Sequence, residues 1–415
     1  MLCNDEDQLM SKNQNKAGLL GLGKVGTNLL FLHKPEVDRF RFHWISDSKH
    51  IHRSKSPYGF SKKECIRIIK RRKLNSTIQG CDRYNFEKAN EQASLLKDLV
   101  ADDKANWLIF DATFTNKQND FTIANAMMGC KAYCAANKTT WADYDLCAIL
   151  LRKARKNDTL LGLNTTVGVW LNQMEIIPII MRNVNAGQVK IWKRDNSSFN
   201  LFFTKIGSGL TVQKTVRQLE GSGYLDAPGP EALLTEVNDQ TMKAHIAANI
   251  CGLMQAIKPV FNDLPLTETS DSISATELAN WHLEGRRSKN YPALVSTVCV
   301  DLRNASVDYQ IQFTQLPKSH PLAKDYHGKC AMAIDPTTAT FSWSRKRPAS
   351  HAPLVRSGYG GPKRTAEKLL EEASRAAIIS LRKSREITSP ILVLAALEKN
   401  ESAAKRLEKE LAQTL

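Results

Sequence analysis

The sequence predicts an α/β protein, with a largely parallel sheet in its first half and a second region that mixes helix and strand. Three observations predict it. A short apolar run, Ala17-Gly18-Leu19-Leu20, meets glycines at Gly21, Gly23 and Gly26 and gives way to a helical apolar pattern at Val25, Leu29, Leu30 and Leu32. A compact run, Trp107-Leu108-Ile109-Phe110, stops at polar residues beginning with Asp111 and Thr113, as a strand buried on both faces does. Strand-like and helix-like stretches alternate as far as Asn137-Lys138, the pattern of parallel βα units.

Composition narrows the class. A chain of 415 residues can hold two domains, and 42% hydrophobic with 24% charged residues is ordinary for a water-facing globular protein. No apolar run approaches the roughly 20 residues that span a bilayer. The polar stretch 1–15 has no signal-peptide core and is expected to be a frayed extension. Nine cysteines are scattered, and the one close pair, Cys130 and Cys134, has no zinc-type partner motif. A reduced, cytoplasmic setting is therefore expected.

The net charge of +16 is concentrated between Lys49 and Lys73. Such a patch steers anions or forms a solvated helix face. Neither a nucleic-acid-binding motif nor interleaved aromatics accompany it, so nucleic acid is not the expected partner.

Each glycine of the first turn has a physical task. Gly21 permits the bend, Gly23 lets the backbone approach a pyrophosphate, and Gly26 lets helix and strand pack closely. The amides of the first helical turn, including those of Lys24 and Val25, then face the phosphates along the helix dipole. The strand before this spacing and the helix after it favour a Rossmann-type dinucleotide site over a glycine-rich βα turn that binds nothing. The next strand, from Arg39 to about Ser48, ends with both kinds of ribose-reading residue. Asp47 suits the 2′-hydroxyl of NAD, the basic residues Lys49, His50, His52 and Arg53 suit the 2′-phosphate of NADP, and Ser48 suits either. The basic run tilts the balance towards NADP, with both cofactors open. Thr113, at the carboxyl end of its strand, is placed to touch the cofactor.

Further on, Leu160 to Gly168 leads to an apolar helix around Ile176, and residues 189–203 are strand-rich around Asn196-Ser197-Ser198-Phe199-Asn200. Thr211 is a candidate helix cap, and Gly221 to Pro230 is turn chemistry. A helix is expected from about Asp239 through Met254, then strands over Leu294–Val300, Val307–Phe313 and Cys330–Ile334. A second glycine turn, Gly358-Tyr359-Gly360-Gly361, precedes a helix from Thr365, and Ser389-Pro390 opens a last one.

The order of these blocks resembles homoserine dehydrogenase over roughly residues 16–375. The resemblance rests on the glycine turn, Asn137-Lys138, Thr166-Val167-Gly168, Ser197-Ser198-Phe199-Asn200, Gly223-Tyr224-Leu225-Asp226, the Asp239-to-Lys243 spacing, Leu316 to Leu322, and Pro353 to Gly361. It implies reversible NAD(P)-dependent hydride transfer between L-homoserine and L-aspartate 4-semialdehyde, in threonine and methionine biosynthesis, by a cytoplasmic homodimer. It also implies a nucleotide-binding domain over 16–163 plus 350–383, an α+β catalytic and dimerisation domain over 164–349, and a helical extension over 384–415. That extension is too short for a regulatory ligand-binding domain.

Site residues follow from the same resemblance. Lys243 falls at the catalytic lysine, able to protonate an alkoxide and to take the proton back in reverse. Asp239, four residues earlier on the same helical face, orients it. On spacing alone the two read as a surface ion pair. Lys138 matches a lysine near nicotinamide and substrate, and Gly360 returns to the cofactor. Asp226 stands where a substrate-binding glutamate is usual, while Ser197 and Ser198 replace a Gly-Thr pair. Asn164, Val167, Val169 and Leu171 are the candidate ligands of a sodium or potassium ion. The departures lie at the substrate end. The segment Ala227 to Leu234 lacks the expected aspartate, leaving Glu231 or Glu236 to substitute, and Trp170 replaces a loop glycine. These departures keep two other readings open: a related oxidoreductase with a different amino-acid or aldehyde substrate, and a non-catalytic descendant that binds nucleic acid or another anion through its basic surface.

Overall fold

The computed structural model describes residues 15–47, 50–75, 82–83, 89–113, 116–168, 173–225, 228–262, 274–323, 329–335, 340–341, 354–358 and 360–378. These fall into two compact units. The first takes the chain to Thr140, Asp145–Thr166 and the stretch from Thr365; the second takes Trp141–Tyr144 and Val167–Arg364.

The first unit is built on a seven-stranded sheet in the order β4-β3-β2-β1-β5-β6-β7. Its strands are β1 (Asn15–Leu20), β2 (Phe40–Ser46), β3 (His50–Arg53), β4 (Asp82–Arg83), β5 (Trp107–Asp111), β6 (Ala132–Ala135) and β7 (Leu160–Gly162). β1, β2, β5, β6 and β7 run parallel, whereas β3 and β4 are antiparallel additions at one edge. β1 lies between β2 and β5, so the strand order reverses there and opens a crevice beyond the carboxyl ends. One core packs Phe40, Phe42, Leu108 and Phe110 of the sheet against Leu29, Leu30, Ile68, Leu369 and Ala373 of the helices.

The returning helix Pro362–Ile378 is tied to this sheet by polar groups as well as by its leucines. Lys131 Nζ donates to the Ala377 carbonyl (3.0 Å) and to Asn15 Oδ1 (2.8 Å). A lysine at the last carbonyls of a helix also opposes its dipole. Buried Glu372 accepts from the backbone N–H (3.0 Å) and Nδ2 (2.9 Å) of Asn164.

The second unit carries a mixed six-stranded sheet, β10-β12-β11-β9-β13-β15. The strands are β9 (Gln188–Arg194), β10 (Val260–Phe261), β11 (Tyr291–Asp301), β12 (Ser306–Leu316), β13 (Cys330–Asp335) and β15 (Leu354–Gly358). β8 (Val184–Ala186) and β14 (Thr340–Phe341) form a separate pair. β15 pairs with β13 over its whole length, from Cys330↔Gly358 to Ile334↔Leu354. The expected start of the return to the nucleotide unit at residue 350 therefore differs from the observed one. Residues 354–358 belong to the second unit, where the ladder with β13 satisfies their backbone, and the first unit resumes at Thr365.

The long helix of this unit also starts earlier than expected. It runs Glu231–Gln255, directly after Pro230, and not from Asp239. Ala232, Leu233 and Leu234 propagate a helix well, and the preceding Pro-Gly-Pro turn limits where it can begin. Glu236, Asp239 and Lys243 consequently share one helical face at i, i+3 and i+7. No helix among the described residues is long and apolar enough to cross a membrane.

Candidate active site

The glycine turn of the first unit has the geometry that its spacing predicts. Gly21 sits at φ +87°, in the left-handed region, and a Cβ there would lie 2.6 Å from the Ala112 carbonyl oxygen. A Cβ on Gly26 would collide with the Gly21 carbonyl oxygen. Both glycines are thus demanded by the protein's own backbone. Gly23 is different. Its φ of −80° suits any residue, and a Cβ there would meet nothing within 4 Å. The protein's own packing does not require a glycine there, and the backbone is left open to close approach.

Gly23 is the N-cap of the helix Lys24–Leu32, which has no capping side chain and no acidic residue in its first turn. Lys24 and Gly23 are exposed and Val25 half-buried, leaving the amide end open to an anion. The residues therefore fit the pyrophosphate of a dinucleotide. The far end of this helix is closed by Lys62, whose Nζ donates to the carbonyls of Leu30 (3.2 Å), Phe31 and His33 (2.6 Å). At least one cation of the basic run is structural, while Lys63, Arg67, Lys70 and Arg71 are exposed.

The ribose-reading end is rearranged by an unexpected hairpin. β2 and β3 are antiparallel, and buried Asp47 closes the turn by accepting from the His50 N–H at 2.8 Å. Arg53 pairs with Trp44, two residues back from the carboxyl end of β2. His52 stacks on Phe60, and burial followed by nearby Arg71 holds its imidazole below the usual pKa. Ser48 and Lys49 lie outside the described residues.

Thr113 sits at the carboxyl edge beside the glycine turn, its amide 2.9 Å from where a Gly21 Cβ would be. Lys138 follows buried Asn137 just past β6, itself half-buried.

In the second unit, Lys243 is the centre of a charged cluster. Its Nζ lies 2.6 Å from Asp239 Oδ2 and donates to the Asp195 carbonyl at 3.1 Å. Burial works against the ammonium, but Asp239, Cys330 and Asp195 outweigh it and raise the Lys243 pKa above its ordinary value. The side chain keeps 12% of its exposure, so it stays reachable while firmly protonated. Beneath it lies an ion pair that the sequence reading missed. Lys193 and Asp195, both fully buried, meet at 2.6 Å, and Lys193 Nζ also donates to the Lys243 carbonyl at 3.3 Å. Lys193 near the end of β9 and Asp195 just beyond it stand at i, i+2, the spacing that puts extended residues on one face, which was the available signal. Burial pushes the Asp195 carboxyl up, and Lys193 opposes that shift.

Asn196 organises the acidic side. Its Oδ1 caps the helix Ser197–Gly207 by accepting from the Phe199 N–H at 2.9 Å, and its Nδ2 donates to Glu236 Oε2 (2.8 Å) and Asp239 Oδ2 (3.3 Å). Glu236 is buried and belongs to the cluster, whereas Glu231 is exposed in the first turn of its helix. Of the two, only Glu236 lies in this cluster. Ser197 Oγ lies 3.2 Å from Cys330 Sγ, and Ser198 Oγ donates to the Tyr224 carbonyl at 2.8 Å. Burial, eased by nearby Lys243, pushes the Cys330 thiol up to about 11. Gly360 lies against Ser197, where a Cβ would strike Ser197 Oγ unless that hydroxyl rotated aside. Asp226 lies outside the described residues.

The cation set finds no support among the described residues. Asn164 is bound to Glu372, and the Val167 carbonyl accepts from Gln173 Nε2 at 2.8 Å; Val169 and Leu171 lie outside the described residues. No group of three His, Cys, Asp or Glu among the described residues could hold a metal.

No protein-family model matches the chain, and no curated protein matches it. Solved structures do. Homoserine dehydrogenase from Thermoplasma acidophilum superposes with a TM-score of 0.57 at 15% identity, covering 86% of this chain and 98% of that one. A hyperthermophilic archaeal homoserine dehydrogenase solved with NADPH gives 0.55 at 16% identity, covering 88% and 97%. A Candida auris protein of unknown function gives 0.58 at 17% identity, covering 88% and 98%. At such identities the likeness establishes the architecture: a Rossmann-type unit and a mixed-sheet α+β unit, the fold shared with these homoserine dehydrogenases.

Proposed function

We propose that the protein is an NAD(P)-dependent oxidoreductase that interconverts an amino aldehyde and its alcohol, with L-aspartate 4-semialdehyde and L-homoserine as the pair. The observation that carries this reading is the reachable, strongly protonated Lys243 beside Asp239 and the Asp195 carbonyl. A bound nicotinamide dinucleotide supplies or accepts the hydride. Lys243 gives its proton to the alkoxide oxygen that forms as the aldehyde is reduced, and in reverse its neutral amine takes the hydroxyl proton. Asp239 and the Asp195 carbonyl hold the ammonium in place.

Glu236 and Asp239 together outweigh the one positive charge of Lys243 and suit a substrate ammonium, with Asn196 fixing both carboxylates. The amide end of the helix Ser197–Gly207 suits the substrate carboxylate. The open space at Gly23 supports a dinucleotide on the first unit, and the NADPH held by one structural relative agrees with that chemistry. Lys138 and a homodimeric assembly stay part of the same proposal.

Initial rates with L-homoserine and a panel of other hydroxy amino acids, each with NAD⁺ and NADP⁺, test it. Turnover of another alcohol with none of homoserine overturns the substrate assignment. Lys243→Ala is expected to remove most activity with cofactor affinity little changed; near wild-type kcat in that variant overturns the role of Lys243.

A further inference from the structure

The carboxyl edge of the parallel sheet holds a buried polar network that the glycine turn and Lys243 do not use. β5 ends at Asp111, whose side chain is fully buried. Asp111 Oδ1 accepts from the Thr113 N–H (3.0 Å) and from Thr113 Oγ1 (2.5 Å). Oδ2 accepts from Asn137 Nδ2 (2.8 Å) and from the Tyr133 hydroxyl. Burial raises the Asp111 pKa, and these hydrogen bonds oppose that shift.

This network fixes the Asn137 amide. A carboxylate only accepts, so the amide nitrogen must face Asp111 and the amide oxygen must face away. Asn137 is 6% exposed, and its Oδ1 is buried with no hydrogen-bond partner among the described residues. Leaving a buried acceptor without a partner is unfavourable. A ligand donor would remove that cost.

Position says which ligand. The Ala112 N–H donates to the Leu20 carbonyl (2.8 Å) and the Ala136 N–H to the Asp111 carbonyl (2.7 Å), so the network continues directly from the glycine turn. A dinucleotide straddles the reversal of strand order, its adenosine on the β2 side and its nicotinamide riboside on the β5–β6 side. Asn137 follows β6. We propose that Asn137 Oδ1 accepts a hydrogen bond from the nicotinamide riboside half of the bound dinucleotide, with Asp111 the positioning residue that turns the amide oxygen towards it. The inference rests on the cofactor reading given under the proposed function.

Binding titrations test it without turnover, using NADH, NADPH and ADP, which lacks the nicotinamide riboside. Asn137→Ala is expected to weaken the preferred dinucleotide about tenfold, the value of one hydrogen bond, while ADP affinity stays unchanged. Asn137→Ser, smaller but polar, serves where the alanine variant melts early, with the same expected split. The 3-acetylpyridine analogue, in which methyl replaces the carboxamide NH₂, locates the donor. A tenfold loss in wild type that vanishes in Asn137→Ala assigns the carboxamide; a wild-type-to-variant ratio unchanged by the analogue assigns a ribose hydroxyl. Equal affinity of wild type and variant for the dinucleotide overturns the inference, as does an equal loss for dinucleotide and ADP. Failure of wild type to bind either NADH or NADPH would instead overturn the cofactor reading itself.

Discussion

Gly23 and Gly26 lie three residues apart in one turn, yet alanine at each should fail in a different way. At Gly26 the new Cβ meets the Gly21 carbonyl oxygen, a backbone atom that cannot swing aside. Overpacking of this kind costs about 1–3 kcal/mol or more, and here it falls on the junction of β1 with its helix. At Gly23 a Cβ meets nothing within 4 Å and φ is −80°. The loss of a glycine N-cap and the gain from a stiffer unfolded chain are each about 0.5–1 kcal/mol and oppose one another. Gly23→Ala should therefore melt within about 2–4 °C of wild type, the shift that 1 kcal/mol produces in a domain of this size. Its dinucleotide affinity should fall about ten- to a hundredfold, because the methyl group takes the space that the pyrophosphate needs. Calorimetry and fluorescence titration with NADPH and NADH give both numbers. If Gly23→Ala binds the cofactor as tightly as wild type, the open space at this turn is not the phosphate site.

Two further predictions concern the charged cluster. Because Lys243 is held protonated above the ordinary lysine pKa of about 10.4, aldehyde reduction should be flat with pH up to about 10, whereas alcohol oxidation should climb about tenfold per unit without a plateau. Asp239→Asn removes a carboxylate that raises this pKa and should move the oxidation limb to lower pH. Rate profiles under conditions with a full deuterium isotope effect check both, and an oxidation plateau below about pH 8 refutes the protonation state. For the buried pair, Lys193→Met or Asp195→Leu alone should cost about 3–5 kcal/mol by stranding the other charge, and the double variant should recover most of that loss in denaturant melts. Additive losses would mean that the two charges do not compensate one another.

The sequence by itself determined whatever is encoded within a few residues. The G-x-G-x-x-G spacing dictates a turn and an open helix start, because the left-handed φ of Gly21 and the contact of Gly26 with the Gly21 carbonyl are local demands. Alternating strand and helix patterns dictate the parallel sheet, and an i, i+4 spacing puts Asp239 beside Lys243 wherever the helix goes. The later blocks were legible as elements and as a resemblance, but not as a site. Tertiary structure alone brought Glu236, and not Glu231, into the cluster with Lys243, because the helix begins at residue 231 and Asn196 reaches across from 40 residues away. It alone buried Lys193 with Asp195, turned Asp47 into its own hairpin, and set Asn164 against Glu372 across 208 residues of chain. Long-range partners depend on strand register and loop closure, which no short window of sequence contains. For the same reason the orphaned oxygen of Asn137 became visible only once Asp111, 26 residues away, had fixed which end of the amide faces inward.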